Sequence, residues 1–136
     1  LPHPENKFFA KKCKKNGITF VQLLSPTTSM QRIKQIIKDS HNMIYYISQS
    51  STTGGKLKVT PKDILKNYNK IKNLAKGKNC VIGFGITDKN ISKFKSANGV
   101  VVGSLNSKII TNALKKHHNP VIKLDTMIKK LKNKII

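Results

Sequence analysis

The stretches Val81–Ile86 (VIGFGI) and Gly99–Ser104 (GVVVGS) decide the fold. Each is a short Val/Ile run without polar alternation that ends abruptly in glycine. Strands of a parallel sheet, buried on both faces, read this way. A glycine at the carboxyl end of a strand lets the backbone approach a ligand where a side chain would collide. Two such ends side by side can point backbone N–H groups at one anion. The two glycine-ended segments are therefore a candidate anion site on the pattern alone.

Working outward, the chain alternates strand and helix. The pattern predicts a helix from Pro4 to about Lys15 with Phe8, Phe9 and Cys13 on one face, ended by Asn16-Gly17. A strand follows over Ile18–Leu24, then the loop Ser25–Thr28. Ser29 caps a helix carrying Ile33, Ile36 and Ile37. The next strand is Met43–Ser48, in which Tyr45 and Tyr46 must face opposite sides. A polar loop, Gln49 to Val59, is longer than most βα connections. Thr60-Pro61-Lys62-Asp63 is a capping box with proline at the first helical position. Its helix aligns Ile64, Tyr68, Ile71 and Ala75 and stops at Gly77. A third strand runs from Cys80 to Phe84. Thr87 caps a helix with Ile91 and Phe94 inward, and Gly99–Val102 is the fourth strand. Helices from about Ser107 to Lys116 and from Pro120 to about Lys134 complete the pattern; the last aligns Val121, Leu124, Ile128, Leu131 and Ile135.

Four strands separated by helices predict right-handed βαβ units and a parallel sheet. Four such units are half of a (β/α)8 barrel, in which glycine turns after the last two strands form a recurrent phosphate site. Half a barrel leaves open edges and an uncovered face. The start on Leu1-Pro2-His3-Pro4 points the same way, so residues 1–136 read as the C-terminal half of a single barrel domain.

Composition narrows the function. The net charge of +22 suits nucleic acid, but Arg32 is the one arginine and the lysines spread over every helix. Arginine is the residue that forks phosphate and guanine. Lys, Asn and Ile are inflated together, and all have A/T-rich codons, so genome composition accounts for the charge. No apolar run spans a membrane and no signal-peptide pattern is present. Cys13 and Cys80 read as buried, reduced thiols of a cytoplasmic protein. His3, His41, His117 and His118 lack partners at catalytic spacing and read as surface residues.

At this point the chain resembles the alpha subunit of tryptophan synthase. The likeness is carried, in order, by Leu1–Glu5 (LPHPE), Ser25–Thr28 (SPTT), Tyr45–Ser48 (YYIS), Thr53–Gly55 (TGG), Ile82–Ile86 (IGFGI) and Val101–Ser104 (VVGS). The resemblance implies a (β/α)8 barrel that cleaves indole-3-glycerol phosphate to indole and glyceraldehyde 3-phosphate. It implies no cofactor in this subunit and a pyridoxal-phosphate-bearing beta subunit as partner in an alpha2beta2 heterotetramer. Gly54, Gly85, Gly103 and Ser104 fall where that family binds the substrate phosphate. Phe84 falls at the indole wall, Tyr45 near the glycerol portion, and Thr53 in the closing loop, where it contacts a catalytic carboxylate. The family usually has R-x-G-V-T-G across that loop; this chain has Gln49-Ser50-Ser51-Thr52-Thr53-Gly54, which bears on loop closure and on communication with the partner.

The implied cleavage needs an acid/base pair. The five carboxylates, Glu5, Asp39, Asp63, Asp88 and Asp125, all read as helix-start or helix-surface residues. No catalytic residue is expected here. Two other readings stand beside this one: another phosphate-binding barrel enzyme, and a basic nucleic-acid-binding module.

Overall fold

The computed structural model describes residues 5–48, 60–83 and 85–136. Four parallel strands lie in sequence order: β1 (Gln22–Leu24), β2 (Met43–Ile47), β3 (Asn79–Gly83) and β4 (Gly99–Val101). Between and after them run α1 (Glu5–Lys15), α2 (Met30–Asp39), α3 (Pro61–Leu74), a 3-10 turn (Ile91–Phe94), α4 (Ser104–Lys115) and α5 (Pro120–Lys132). Parallel order without a skipped strand is the order of adjacent strands in a (β/α)8 barrel.

Register divides the sheet into two faces. Leu24, Tyr46, Ile82 and Val100 form one row across it, with Ile44 and Cys80 in the row below. This side meets the helices. Leu24, Ile44, Tyr46, Cys80 and Ile82 are fully buried against Ile33, Ile36, Ile64, Tyr68 and Ile71. Leu23, Tyr45, Val81 and Gly99 form the alternate row on the other face, followed by Ile47, Gly83 and Val101. That face has no layer over it among the described residues; Leu23 is 57% exposed and Val101 38%.

Local chemistry sets the helix ends. The Ser29 hydroxyl caps α2 at Arg32 N–H (3.4 Å). Thr60 Oγ1 accepts from Asp63 N–H (3.2 Å) and donates to the Asp63 carboxylate (2.6 Å), closing the box read from the sequence. That bond to Thr60 is the main cause that holds the Asp63 carboxyl below its ordinary value. Gly17 and Gly77 end α1 and α3 at positive φ, 69° and 80°. Lys78 Nζ donates to the Ile37 and Ser40 carbonyls (2.5 and 2.6 Å), satisfying the C-terminus of α2. At the amino ends of β3 and β4, Tyr68 Oη donates to the Cys80 carbonyl (2.8 Å) and accepts from Asn98 N–H (2.9 Å).

Several expectations are corrected. The first strand is three residues, not Ile18–Leu24; Phe20 N–H donates to His41 Nδ1 (3.1 Å) instead of entering a ladder, which gives His41 a structural partner. Phe8 and Phe9 are exposed, and α1 docks through Asn6 and Ala10, with Asn6 Nδ2 on Gln22 Oε1 (3.0 Å). Phe8 is about 200° round the helix from Asn6, so one face cannot bury both. The expected helix after Thr87 is a 3-10 turn of four residues; Ile91 and Phe94 are buried as read. α4 starts at Ser104, three residues early. α5 buries Leu131, with Met127 and Ile135 against the core, while Val121 is 72% exposed and Ile128 lies outward. Leu131 and Ile135 pack inward as expected, and Met127 takes the place of Val121 and Ile128 in a stripe spaced by fours. Cys80 is buried; Cys13 is half-buried, and both thiols are free.

Candidate functional site

The carboxyl ends of β3 and β4 open into a cavity of about 560 Å³. Tyr45, Gly85, Ile86, Thr87, Asp88, Lys89, Val101, Gly103, Ser104, Leu105 and Lys108 line it. The two glycine turns singled out above therefore meet at one place. Ser104 and Tyr45 join them there.

The glycines do different work. Gly85 has φ 71°, a conformation open to glycine and strained for other residues. The Asn90 amide fixes this turn: Nδ2 donates to the Gly85 carbonyl (2.9 Å) and Oδ1 accepts from Thr87 N–H (2.7 Å). From behind, Lys134 Nζ holds the Asp88 carbonyl (2.5 Å). Gly83 makes room for Tyr45: a Cβ there would overlap the Tyr45 hydroxyl and Cζ. The phenol can lie across the strand into the cavity only because position 83 has no side chain. Gly103 has φ −99°, and a Cβ there would meet nothing within 4 Å. Neither backbone strain nor packing calls for glycine at 103. Gly103 instead lies on the wall of the cavity, where any side chain adds bulk at its edge.

Gly103 is also the N-cap of α4, and no side chain caps that end. α2, α3 and α5 are each capped by a hydroxyl or amide, from Ser29, Thr60 and Asn119. The first N–H groups of α4 are thus left to solvent or to a ligand, with the positive end of the helix dipole behind them. An anion at this mouth would meet donors from two turns.

Of the residues expected in the site, Tyr45, Gly85, Gly103 and Ser104 are brought together. Thr53, Gly54 and Phe84 lie outside the described residues, as does the whole Gln49–Val59 loop. Sequence reading missed Gly83, Asn90, Asp88 and Lys108. Asp88 had read as a helix-start carboxylate, yet it lines the cavity. The Asn three residues beyond Thr87 is the one signal that could have exposed the clamp, since Asn favours such local bonds. Among the described residues there is no cluster of His, Cys, Asp or Glu able to hold a metal ion, and no helix long and apolar enough to cross a membrane.

A parallel βα sheet whose strand ends and glycine turns open into one cavity is the arrangement of a (β/α)8 barrel, in which sites lie at the carboxyl ends of the strands. Similarity to known proteins is specific within that fold. The family model for the tryptophan synthase alpha chain matches residues 1–136. The chain is 61% identical to the tryptophan synthase alpha chain of Pelagibacter ubique over 135 residues, covering 99% of this chain and 51% of that one. It is 35% identical to that of Cyanidium caldarium, covering 97% and 49%. The solved alpha subunit from Legionella pneumophila superposes with a TM-score of 0.82 at 24% identity, over 99% of this chain and 49% of that one. A mutant alpha subunit from Pyrococcus furiosus superposes with a TM-score of 0.69 at 26% identity, over 99% and 51%.

The chain belongs to the tryptophan synthase alpha chain family. Its fold is α/β, the parallel-sheet part of a (β/α)8 barrel. It spans about half the length of the relatives it matches.

Proposed function

We propose that residues 1–136 are the C-terminal half of a barrel enzyme that cleaves indole-3-glycerol phosphate to indole and glyceraldehyde 3-phosphate, a carbon–carbon lyase step of tryptophan biosynthesis. The observation that carries this is the cavity where Gly85 and the uncapped Gly103–Ser104 end of α4 converge, in a chain of this family. The N–H groups of that mouth hold the phosphate, together with Gly54 of the closing loop. Tyr45, laid over Gly83, reaches the glycerol portion. Phe84 walls the indole, and Thr53 belongs to the loop that closes over the substrate.

The phosphate does not react, so this half anchors and orients while the chemistry happens elsewhere. Protonating indole C3 and removing a hydroxyl proton call for carboxylates inside the barrel. None of the four strands carries one. Asp88 lines the cavity from the turn after β3, at the phosphate end, and is not assigned to the acid/base pair. The partner is a beta subunit that carries pyridoxal phosphate, in an alpha2beta2 assembly of the cytoplasm; this subunit needs no cofactor of its own.

The test is indole release. The full-length protein liberates indole from indole-3-glycerol phosphate, and addition of a beta subunit raises the rate. The 136-residue chain alone liberates none above a blank. A full-length protein that binds the substrate but leaves it intact would overturn the lyase reading.

A further inference from the structure

The mouth of the cavity carries two cations that the glycine pattern does not predict. Lys89 follows Asp88 in the turn after β3, and Lys108 lies on α4 one turn beyond Ser104; both line the cavity with Gly85, Gly103 and Ser104. Neither ammonium has a hydrogen-bond or ion-pair partner among the described residues, where the ion pairs are Lys7–Asp39 and Lys129–Asp125. Residues at i and i+4 share a helix face, and long helical side chains lean toward the amino end. Lys108 therefore shares the cavity-lining face of α4 with Ser104, within a turn of the Gly103–Ser104 helix start. Lys89 approaches from the opposite lip.

We propose that Lys108 and Lys89 are the charge-matching, specificity-determining residues of this site, selecting a dianionic phosphomonoester over singly charged or neutral analogues. The proposal rests on the phosphate reading above and deepens it. Backbone N–H groups and a helix dipole supply partial charges, equivalent to about half an elementary charge at a helix start. A phosphate monoester near neutrality carries about −1.5 to −2. The dipole alone leaves most of that uncompensated. Two ammonium groups supply the balance, and the Asp88 carboxylate on the same lip offsets one of them. With the Lys134 ammonium held behind on the Asp88 carbonyl, the side chains that line the mouth, two lysines and one aspartate, thus leave a net single positive charge. A dianion gains more from it than a carboxylate does, and an uncharged glycerol gains nothing. Because the lysines are exposed, the attraction is screened by salt.

The experiment uses the full-length protein and glycerol 3-phosphate as probe, with glycerate as the singly charged comparison. Titration calorimetry at low and high salt is run on wild type, Lys108→Gln, Lys89→Gln, the double variant and Lys108→Arg. Each single variant is expected to weaken glycerol 3-phosphate binding about threefold and the double about tenfold, in the range of exposed charge pairs. Glycerate binding changes less, the salt dependence flattens, and Lys108→Arg restores binding. In turnover, KM for indole-3-glycerol phosphate rises in step while kcat holds, the pattern of an interaction equal in ground and transition states. Gly103→Val serves as the control on the underlying reading. If it abolishes probe binding while the double lysine variant binds like wild type, the lysines are solvated surface and the proposal falls. If Gly103→Val itself binds normally, the phosphate reading falls with it.

Discussion

The two faces of the sheet obey different rules. On the helix side Leu24, Ile44, Tyr46, Cys80 and Ile82 are sealed in apolar packing, and the one polar residue of these rows, Gln22, is tied to Asn6. On the other side the rows hold Leu23, Tyr45 and Val81, then Ile47, Gly83 and Val101, and they end in the candidate site. Both faces are drawn from the same Val/Ile-rich strands. The difference teaches that apolar composition marks a strand as bound for a barrel, while its neighbours decide which face is already core. The open face keeps exposed apolar residues at both ends of the sheet, Leu23 on β1 and Val101 on β4.

The sharpest way to break this comparison is truncation on each face. In the 136-residue chain, Ile82→Ala is expected to cost about 3 kcal/mol, as for a fully buried aliphatic side chain. Leu23→Ala in the same chain should stay within about 0.5 kcal/mol, as for a surface change. Urea unfolding of both variants measures the gap; equal losses would mean that the open face is already packed. In the full-length protein the Leu23→Ala loss should grow, because a closed barrel covers it.

A double-mutant cycle tests whether the open face is shaped for Tyr45. Gly83→Ala places a Cβ in the phenol and is expected to cost about 2 kcal/mol by overpacking. In a Tyr45→Ala background that cost should nearly vanish, leaving a coupling of about the same size. Additive losses would mean that glycine occupies position 83 for some reason other than admitting the phenol.

Asn90→Ala sharpens the comparison at the mouth of the site. Losing both bonds to the Gly85–Thr87 turn should raise KM of the full-length enzyme about threefold to fivefold with kcat nearly unchanged. Its Tm should fall by only a few degrees, about 1 kcal/mol of lost hydrogen bonding. A lower Tm with an unaltered KM would make Asn90 a fold residue alone.

The smallest effect belongs to the sealed face. Burial pushes the Cys80 thiol up to about 11 from an ordinary 9.0. Its neutral form is the one the fold favours, so its contribution is whole below the unfolded value and is lost as pH rises from about 9 through 11. At pH 8, peptide mapping after iodoacetamide should find Cys13 labelled and Cys80 spared until denaturant is added. Early labelling of Cys80 would mean that the helix layer opens readily.

Much of the fold was legible wherever a local interaction dictates it. The Thr60–Asp63 box, the Ser29 cap, the positive-φ stops at Gly17 and Gly77 and the α3 stripe need only neighbours a few residues away. The convergence of Gly85 with Gly103 and Ser104 was legible too, because a parallel sheet of short βα units brings strand ends together. What failed depended on distant partners. Ile18–Phe20 has strand composition, yet Phe20 N–H goes to His41, 21 residues on. Val121 and Ile128 match a helical stripe as well as Met127, Leu131 and Ile135 do, and only the core's position chooses between them.

By itself, then, the sequence determined the α/β alternation, the helix ends, the glycine turns and the family, since each is written in neighbouring residues or an ordered set of motifs. Tertiary structure alone decided which glycine serves which purpose. Gly83 yields space to a tyrosine two residues before the end of the neighbouring strand, Gly85 bends the chain under an asparagine clamp, and Gly103 leaves a helix end bare. A missing side chain has no preference of its own. Its meaning comes from the atoms that fill the space, or leave it open, once the strands are side by side.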